Sequence, residues 1–449
     1  MSFLKSTIQT YFIRIILIAE ALALSVIHSR WLGPEGVGVI GLLVLLKSFT
    51  FRLGNLGIGS SFAFFLAKKE VSVSQVTRIL WGTGGVISVL TILVILVIWR
   101  RDFSLWNDIH PNIFYIALPT VPLYYFNQQM RRILSGQLRI TIINISELLM
   151  EFSRLFFVCI FVVWLRFGIR GAVLALLLSD ILAFFFLFLQ IHAKRAEIVD
   201  KNVQQNNTTK LIFRLWRYGR WNYLLMFTNF LCQELPLILL KKISLMNTPV
   251  GLFLRARGIG RHTHILIQPV SLMLFPFTAA SEKTVAIHRT NVLCRNFMLI
   301  AALMIGLVTL LIKPMILILY GEEFLPATGV FYAIVPSFIF WPVGRFIGIH
   351  IAASGKAKQV FFMGLITLLI GAPISYFLIS EYGMVGAGLS VSTINAIMIF
   401  LHLLLYIKLT GTLFSEVIVP RFSDVTYYQK ALQTLRLKIV PDKSRRNKN

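Results

Sequence analysis

The sequence predicts an all-α, polytopic membrane protein of about twelve transmembrane helices arranged in two similar halves. Hydrophobic residues make up 57% of the 449 residues and charged residues only 14%, whereas soluble proteins carry about a quarter charged residues. Apolar runs of about 20 residues, the length that crosses a bilayer as a helix, recur along nearly the whole chain. Segments of the first half also return in the second half in the same order. These observations indicate a helical membrane protein built by internal repetition.

The apolar runs define the predicted spans in chain order. We place twelve spans at residues 9–29, 36–66, 79–99, 112–130, 145–165, 171–191, 219–240, 250–278, 296–319, 328–350, 359–379 and 384–407. The second span contains Gly54, Gly57 and Gly59, and the eighth contains Pro269 and Pro276. Both spans are also long, so they are predicted to be tilted, kinked or partly unwound.

The loops between the spans predict the orientation of the chain. The N-terminus, one set of alternate loops and the C-terminal tail together carry about 28 lysines and arginines, whereas the opposite loops carry about 7. Basic residues accumulate on the cytoplasmic side of membrane proteins. Both termini are therefore predicted to be cytoplasmic, as an even number of spans requires. This asymmetry explains much of the formal net charge of +26, and no nucleic-acid partner is predicted.

The longest loop and the tail complete the predicted organisation. The polar, basic loop at 192–218 is predicted to be a cytoplasmic linker between six-helix halves at 1–191 and 219–407. The basic tail at 408–449 contains a short amphipathic stretch near 425–438 and is predicted to contact lipids of the cytoplasmic leaflet. The three cysteines lack metal-binding spacing, so neither a metal site nor a disulfide framework is predicted.

Three pairs of similar segments carry the internal repeat. The segments, each followed by its repeat, are 116–139 and 333–358, 168–180 and 383–395, and 33–43 and 247–257. The third pair aligns Val37-Gly38 with Val250-Gly251. The offset corresponds to six spans, an even number, so the halves have the same orientation in the membrane. Such repeats are typical of transporters that bind their substrate between the halves.

Charged residues inside the spans need a physical explanation, because each costs roughly 3 kcal/mol at a helix centre. Glu20 in the first span and Glu234 in the seventh are mid-span acids at corresponding positions of the two halves. Lys47 in the second span and Arg261 in the eighth correspond in the same way. Corresponding charges in a repeated transporter predict a site between the halves. The alternative is a pair of structural salt bridges between neighbouring helices.

The segment "RARGIGRHTH" (255–264) places several of these charges within the eighth span. Arg257, Arg261 and His264 have the spacing i, i+4, i+7 and share one helix face. Arg255 points nearly the opposite way and lies close enough to the outer end to extend its side chain to the membrane surface. Arg261 lies about 15 Å from that end and is the strongest candidate for the cavity. The histidines have no further ligands nearby, so no metal site is predicted.

The remaining charges in the spans have alternative interpretations. Arg52 faces either the cavity or the cytoplasmic interface, and Arg345 either the cavity or the membrane surface. Arg154 is predicted to pair locally with Glu151, and Asp180 to pair with Arg154 or to bind a coupling proton. The candidate substrate-binding residues are therefore Arg261, Lys47, Arg257, Arg52, His264 and Arg345. The candidates for ion coupling are Glu20, Glu234 and Asp180.

Four glycine-containing motifs extend over most of the chain. They are "RWLGPEGVGVIGLL" (30–43), "LGNLGIGSSFAFFLAKKE" (53–70), "LYGEEFLPATGVFYAIVP" (319–336) and "GAGLSVS" (386–392). In these motifs the chain resembles the O-antigen flippases, the polysaccharide transporter branch of the multidrug/oligosaccharidyl-lipid/polysaccharide (MOP) superfamily. The resemblance implies a MATE-like arrangement of two six-helix bundles around a central cavity, lined mainly by the first, second, seventh and eighth spans.

The resemblance also implies a function. An undecaprenyl-pyrophosphate-linked oligosaccharide would move from the cytoplasmic to the periplasmic leaflet of the bacterial inner membrane, without catalytic residues or a cofactor. A proton or sodium gradient is the candidate driving force, and membrane lipids and other polysaccharide assembly proteins are the expected partners. The alternatives are a MATE-like exporter of small molecules, which the basic membrane charges disfavour, and a membrane polysaccharide polymerase, which the short periplasmic loops disfavour.

Overall fold

The protein is all-α in the part of the chain that the structure describes. The computed structural model describes residues 2–101, 109–193, 208–261 and 267–421. The α-helices are α1 Ser2–Asn55, α2 Ile58–Ala67, α3 Val73–Arg100, α4 Pro111–Ala117, α5 Thr120–Gly136, α6 Ile140–Val158, α7 Gly168–Ala193, α8 Thr208–Ser244, α9 Thr248–Arg261, α10 Ile267–Ala280, α11 Lys283–Leu319, α12 Ala327–Ile351, α13 Ala357–Thr410 and α14 Phe414–Ile418. Short π-helical turns, Cys159–Trp164 and Ala352–Lys356, follow α6 and α12, and the 3-10 turn Glu322–Phe324 precedes α12.

Three glycines in left-handed backbone conformations mark bends in the longest helical stretches. Gly33 (φ 64°) bends α1, Gly383 (φ 54°) bends α13, and Gly355 (φ 81°) separates α12 from α13. Glycine adopts this conformation without the steric cost of a Cβ atom. Pro34 follows the first bend directly, and proline is well tolerated in the first turn of a helix. The bends coincide with loops that the sequence predicts between consecutive spans.

The described helices agree with a polytopic membrane protein. Six continuous helical stretches are apolar and long enough to cross a membrane: Ile13–Asn55, Val73–Arg100, Gly168–His192, Thr209–Ser244, Lys283–Leu319 and Ala327–Thr410. The glycine bends divide the first and last of these at the predicted loops. The remaining predicted spans coincide with α4–α5, with α6 and its π-helical turn, and with α9–α10. The second predicted span is broken as expected, because Gly57 (φ 82°) separates α1 from α2.

The helices pack as two groups that meet along two seams. In the first group α5 and α6 pack on α7, and α2 packs on α5. In the second group α12 packs on α11 and α13, and α13 packs on α8. Fully buried side chains such as Ile133 and Phe331 fill the interiors of the respective groups. The groups contact each other where α1 packs on α9 and where α2 packs on α8.

The predicted orientation gives a direct test. Reporter fusions after Lys68, within 195–210 and after residue 430 are expected to report a cytoplasmic location, and fusions near Trp106 and Glu322 a periplasmic one. The reason is the excess of basic residues in the first set of segments. Paired phosphatase and fluorescent-protein fusions measure both locations. A periplasmic C-terminus would contradict both the even number of spans and the parallel repeat.

Candidate functional site

Glycines bring the helices of the two groups into backbone contact at both seams. At the seam between α1 and α9, a Cβ atom on Gly38 would lie 2.1 Å from the Asn247 carbonyl oxygen, and one on Gly251 would lie 1.9 Å from the Pro34 carbonyl oxygen. These glycines belong to the two segments that the internal repeat aligns. The repeated segments therefore pack against each other, at the end predicted to be periplasmic. Close backbone approach through small residues is characteristic of membrane helix packing.

The second seam, between α2 and α8, lies at the end predicted to be cytoplasmic. A Cβ atom on Gly219 would lie 2.2 Å from the Gly57 carbonyl oxygen, and one on Gly57 would lie 2.6 Å from that of Gly219. The Ser61 hydroxyl donates a hydrogen bond of 2.6 Å to the Leu215 carbonyl oxygen across the same seam. The two groups are thus in contact on both sides of the mid-membrane region.

A cavity lies between the seams, and we call it the central cavity. Its volume is about 300 Å³, at the lower end of the range for sites that bind drug-sized ligands. It is lined by helices α1, α8 and α9, through His28, Val37, Ile40, Gly41, Val44, Leu45, Ser48, Phe230, Glu234, Leu237, Leu254, Arg255, Arg257 and Arg261. A ligand larger than this space, such as the lipid-linked oligosaccharide that the sequence resemblance implies, could pass only if one of the seams separated.

The charges of the central cavity are concentrated on α8 and α9. Arg257 Nη2 lies 2.7 and 2.8 Å from the two carboxylate oxygens of Glu234, and its Nη1 donates to the Gln233 carbonyl oxygen at 3.0 Å. Arg261 Nη2 approaches the same carboxylate more loosely, at 3.5 Å. The Arg261 side chain is 49% exposed and that of Arg257 only 7%. Arg257 is therefore fixed in place, whereas Arg261 presents its guanidinium group to the cavity.

Arg255 also lines this cavity, contrary to the prediction that it extends outward to the membrane surface. Its Nε donates a hydrogen bond of 2.7 Å to the Ser29 hydroxyl of α1, and its guanidinium carbon lies 5.6 Å from the centre of the Tyr320 ring. The buried serine on the neighbouring helix supplies the acceptor that holds Arg255 inside the protein. Three arginines and one carboxylate thus line the cavity, so its charged side chains sum to a positive value.

Arg52 lies beside the central cavity near its predicted cytoplasmic end. Its guanidinium carbon is 4.6 Å from the centre of the Phe230 ring, and Phe230 is one of the lining residues. Cation–π contacts of this kind hold an arginine in place without neutralising its charge. Of the two interpretations that the sequence allows for Arg52, its position agrees better with the cavity.

Lys47 does not line the central cavity, although the sequence predicts it to be the counterpart of Arg261. Its Nζ atom forms a buried ion pair of 3.0 Å with Asp180 Oδ2, and it lies 4.9 Å from the centre of the Tyr124 ring. After the bend at Gly33, the lining residues of α1 form a stripe from Val37 to Ser48. At about 100° per residue, Lys47 projects roughly a quarter of a turn away from the centre of that stripe, towards α7.

The sequence suggested Arg154 as the partner of Asp180. In the structure its partner is Lys47. The Asp180 carbonyl oxygen also accepts a hydrogen bond of 2.9 Å from Asn127 Nδ2. Arg154 instead pairs with Glu151, as predicted. Salt bridges between neighbouring helices, the alternative to a cavity site, thus occur in both halves. Lys47 is held in such a pair away from the cavity, whereas Arg257 and Arg261 contact Glu234 and also line the cavity.

The buried ion pair gives a prediction about stability. Lys47→Ala is expected to lower the midpoint of thermal unfolding and the amount of protein in the membrane, in contrast to the unchanged abundance expected of a cavity cation. Removing one partner of a buried pair costs about 3–5 kcal/mol, because the other charge stays buried. The double variant Lys47→Met, Asp180→Asn removes both charges and should recover most of the loss. Wild-type abundance and stability of Lys47→Ala would contradict this assignment.

The two predicted acids occupy different environments. Glu234 lines the central cavity, whereas Glu20 is buried among other residues and is not part of the lining. Within the described part of the chain, Glu20 Oε1 has no hydrogen-bond partner. The correspondence between the acids in the sequence therefore does not extend to their surroundings.

Two further candidates are not placed at the cavity. Arg345 is exposed and does not belong to the lining of the cavity. His264 falls within 262–266, outside the described residues.

Sequence reasoning missed His28, which lines the cavity and whose buried Nε2 has no hydrogen-bond partner among the described residues. A histidine inside an apolar span is itself unusual, and this signal could have identified it.

Comparisons with known proteins agree with this architecture. A family model described as polysaccharide biosynthesis protein matches residues 4–282. No curated protein matches the chain. An inward-facing multidrug resistance MATE family transporter of the MOP superfamily shares 16% identity, covering 89% of this chain and 98% of its own, with a TM-score of 0.68. The lipid II flippase MurJ in an inward closed conformation shares 14% identity, covering 98% of this chain and 94% of its own, with a TM-score of 0.64.

The structural similarities establish the fold, and the family model establishes the family. The match to the family model extends over more than half of the chain and includes every residue that lines the central cavity. Helices α1, α8 and α9 therefore belong to the part of the chain that is typical of the family. The chain belongs to the polysaccharide biosynthesis protein family and has the fold of MOP superfamily transporters.

Proposed function

We propose that this protein is a flippase that moves an undecaprenyl-pyrophosphate-linked oligosaccharide from the cytoplasmic to the periplasmic leaflet. The substrate is a repeat unit of O-antigen or of another surface polysaccharide. The observation that carries the proposal is the half-exposed side chain of Arg261, which lines the central cavity together with Arg257 and Arg255. Arginine binds phosphate oxygens with two parallel hydrogen bonds, which suits a pyrophosphate group.

Glu234 is the anion that pairs with two of the cavity arginines when no substrate is bound. Its carboxylate accepts hydrogen bonds from Arg257 and, more loosely, from Arg261. A pyrophosphate carries more charge than one carboxylate, so it competes for the guanidinium groups as it enters the cavity. The looser Arg261 contact is the first to exchange. Arg257 and Arg261 thus remain paired with an anion at each step.

The positive lining argues against the alternative of an exporter for cationic drugs. Three arginines line the cavity and Arg52 lies beside it, and like charges repel a cationic ligand at this distance. The similarity to MATE transporters concerns the fold, which hosts different substrates in different proteins. A polymerase would in addition need a nucleophile, a base and an orienting acid that contact one another. The lining contains Ser48, His28 and Glu234, but Glu234 is paired with Arg257 and Arg261, and His28 Nε2 has no hydrogen-bond partner among the described residues.

The function is tested by deleting the gene and following the glycan. We expect surface polysaccharide to disappear while lipid-linked repeat units accumulate on the cytoplasmic face of the inner membrane. Accumulation on the periplasmic face would instead indicate a polymerase, and absence of lipid-linked units would indicate an earlier enzyme. Unchanged surface polysaccharide together with increased drug sensitivity would favour the exporter.

Ion coupling is a separate prediction. Glu234→Gln and Glu20→Gln are each expected to weaken the dependence of transport on the ion gradient, because a carboxylate buried in a membrane can exchange a proton or bind a cation. Transport into vesicles with and without an imposed gradient is the measurement, and the exposed Glu322→Gln is the matched control. If both variants transport and couple normally, these acids are structural partners.

A further inference from the structure

A second cavity lies in the second half of the protein, between the start of α11 and the end of α13. Its volume is about 280 Å³, and helix α14 closes one side of it. Residues Thr284, His288, Asn291 and Arg295 of α11 line it at helical spacing, and Glu416 and Arg421 line it from α14 and the residues that follow. It shares no lining residue with the central cavity. We call it the α14 cavity, and it is predicted to face the cytoplasm.

Donor groups predominate in the α14 cavity. Arg295 is buried and donates to the carbonyl oxygen of Glu416, which fixes its guanidinium group at the wall. The Asn291 Oδ1 atom accepts a hydrogen bond of 2.8 Å from the Tyr406 hydroxyl, so its amide NH₂ group is the part left to act as a donor. Arg421 lies at the mouth with half of its side chain exposed, 3.4 Å from Glu416 Oε1.

The acid in this cavity is already occupied by protein donors. Glu416 contacts Arg421 through Oε1, and its Oε2 accepts from the Leu413 backbone N–H at 3.4 Å. Among the described lining residues, two guanidinium groups thus face one carboxylate, and an amide and an imidazole add further donors. This combination suits a phosphate group, which carries several acceptor oxygens and a negative charge.

Exposed apolar side chains lie next to the α14 cavity. Leu413, Phe414 and Val419 expose large apolar side chains to the outside, while Val417 is fully buried and attaches α14 to the bundle. Exposed apolar residues beside basic ones are typical of segments that lie in the lipid headgroup layer. If the phosphate of a phospholipid from this layer enters the cavity, the acyl chains of that lipid lie along the exposed apolar side chains. The cytoplasmic leaflet is rich in anionic headgroups, and basic pockets between transmembrane helices bind them.

We propose that the α14 cavity binds the phosphate group of an anionic phospholipid of the cytoplasmic leaflet. The lipid headgroup occupies the space between Arg295, Asn291 and Arg421. The cavity is at the small end of the size range for ligand sites, which fits a headgroup better than a nucleotide or an oligosaccharide. This site does not depend on the proposed flippase activity.

The test uses the purified full-length protein in nanodiscs of phosphatidylcholine with increasing fractions of phosphatidylglycerol. We expect phosphatidylglycerol to raise the midpoint of thermal unfolding of the wild-type protein, because a ligand bound to the folded state stabilises it. The variant Asn291→Asp, Arg421→Gln should need about tenfold more phosphatidylglycerol for the same rise, because it loses one charged donor and gains a repelling carboxylate. Its midpoint in pure phosphatidylcholine reports any loss of folding separately.

Controls separate the site from general electrostatic attraction. Arg289→Gln removes an exposed charge from the same helix, outside the lining of the cavity, and should respond to phosphatidylglycerol like the wild type. The single variant Arg421→Gln should give an intermediate response.

Glycerol phosphate and inorganic phosphate are added to phosphatidylcholine nanodiscs in a parallel series. If these soluble anions stabilise the wild type and Asn291→Asp, Arg421→Gln abolishes the effect, the site binds phosphate but takes it from a soluble ligand. No stabilisation of the wild type by any of these anions, or equal losses in the double variant and in Arg289→Gln, overturns the proposal.

Discussion

Arg261→Ala is expected to reduce transport about tenfold or more while the protein remains folded and abundant. The side chain is half exposed in the central cavity, and Glu234 keeps its two short contacts with Arg257 when Arg261 is removed. A hydrogen bond to a charged group contributes about 1.5–3 kcal/mol, and about 1.4 kcal/mol corresponds to a factor of ten. Arg261→Lys keeps the charge but loses the two-pronged phosphate contact, so an intermediate rate is expected.

The measurement is complementation of surface polysaccharide in the deletion strain, normalised to protein abundance. Arg345→Ala is the matched control, because Arg345 is an exposed arginine of a transmembrane helix that does not line the cavity. Insertion of Arg261→Ala into the membrane should be no harder than that of the wild type, because the substitution removes a charge from a span. Full activity of Arg261→Ala would contradict a cationic substrate site and leave Arg261 as a secondary partner of Glu234.

Gly251→Ala is expected to abolish transport by holding the seam between α1 and α9 apart. The new Cβ atom would lie 1.9 Å from the Pro34 carbonyl oxygen, and backbone atoms cannot yield as a flexible side chain does. The seam lies at the predicted periplasmic end, so the central cavity should become more accessible from that side. Gly258→Ala is the matched control on the same helix, because nothing lies within 4 Å of its Cβ position.

Accessibility is measured with a single cysteine, Val44→Cys, in a protein whose three native cysteines are replaced by serine. A membrane-impermeant thiol reagent added from the periplasmic side should label the Gly251→Ala protein faster than the Gly258→Ala protein. Gly219→Ala acts at the opposite seam, where its Cβ atom would lie 2.2 Å from the Gly57 carbonyl oxygen, and should increase labelling from the cytoplasmic side. Normal transport by Gly251→Ala would show that this seam need not close during the cycle.

The sequence by itself determined the all-α membrane fold and the order of the apolar segments along the chain. Apolar runs of membrane length are a local property, and the glycine bends at Gly33 and Gly383 fall where hydropathy predicts loops. The repeat also identified the segments around Gly38 and Gly251, although it did not show that they touch. Repeats with the same orientation are related by an axis along the membrane normal, and two equivalent segments close to such an axis come into contact.

Only the tertiary structure decided which charges are paired and which face the cavity. In the first half Lys47 pairs with Asp180. The repeat aligns Asp180 with Asn395, which is neutral and donates to the Ser337 hydroxyl at 2.6 Å, so the second half lacks an acid at that place. Arg257 and Arg261 of α9 pair instead with Glu234 in the cavity. Partner choice depends on how each helix is rotated about its axis and on what its neighbours offer, and neither quantity is contained in a periodic pattern along one chain.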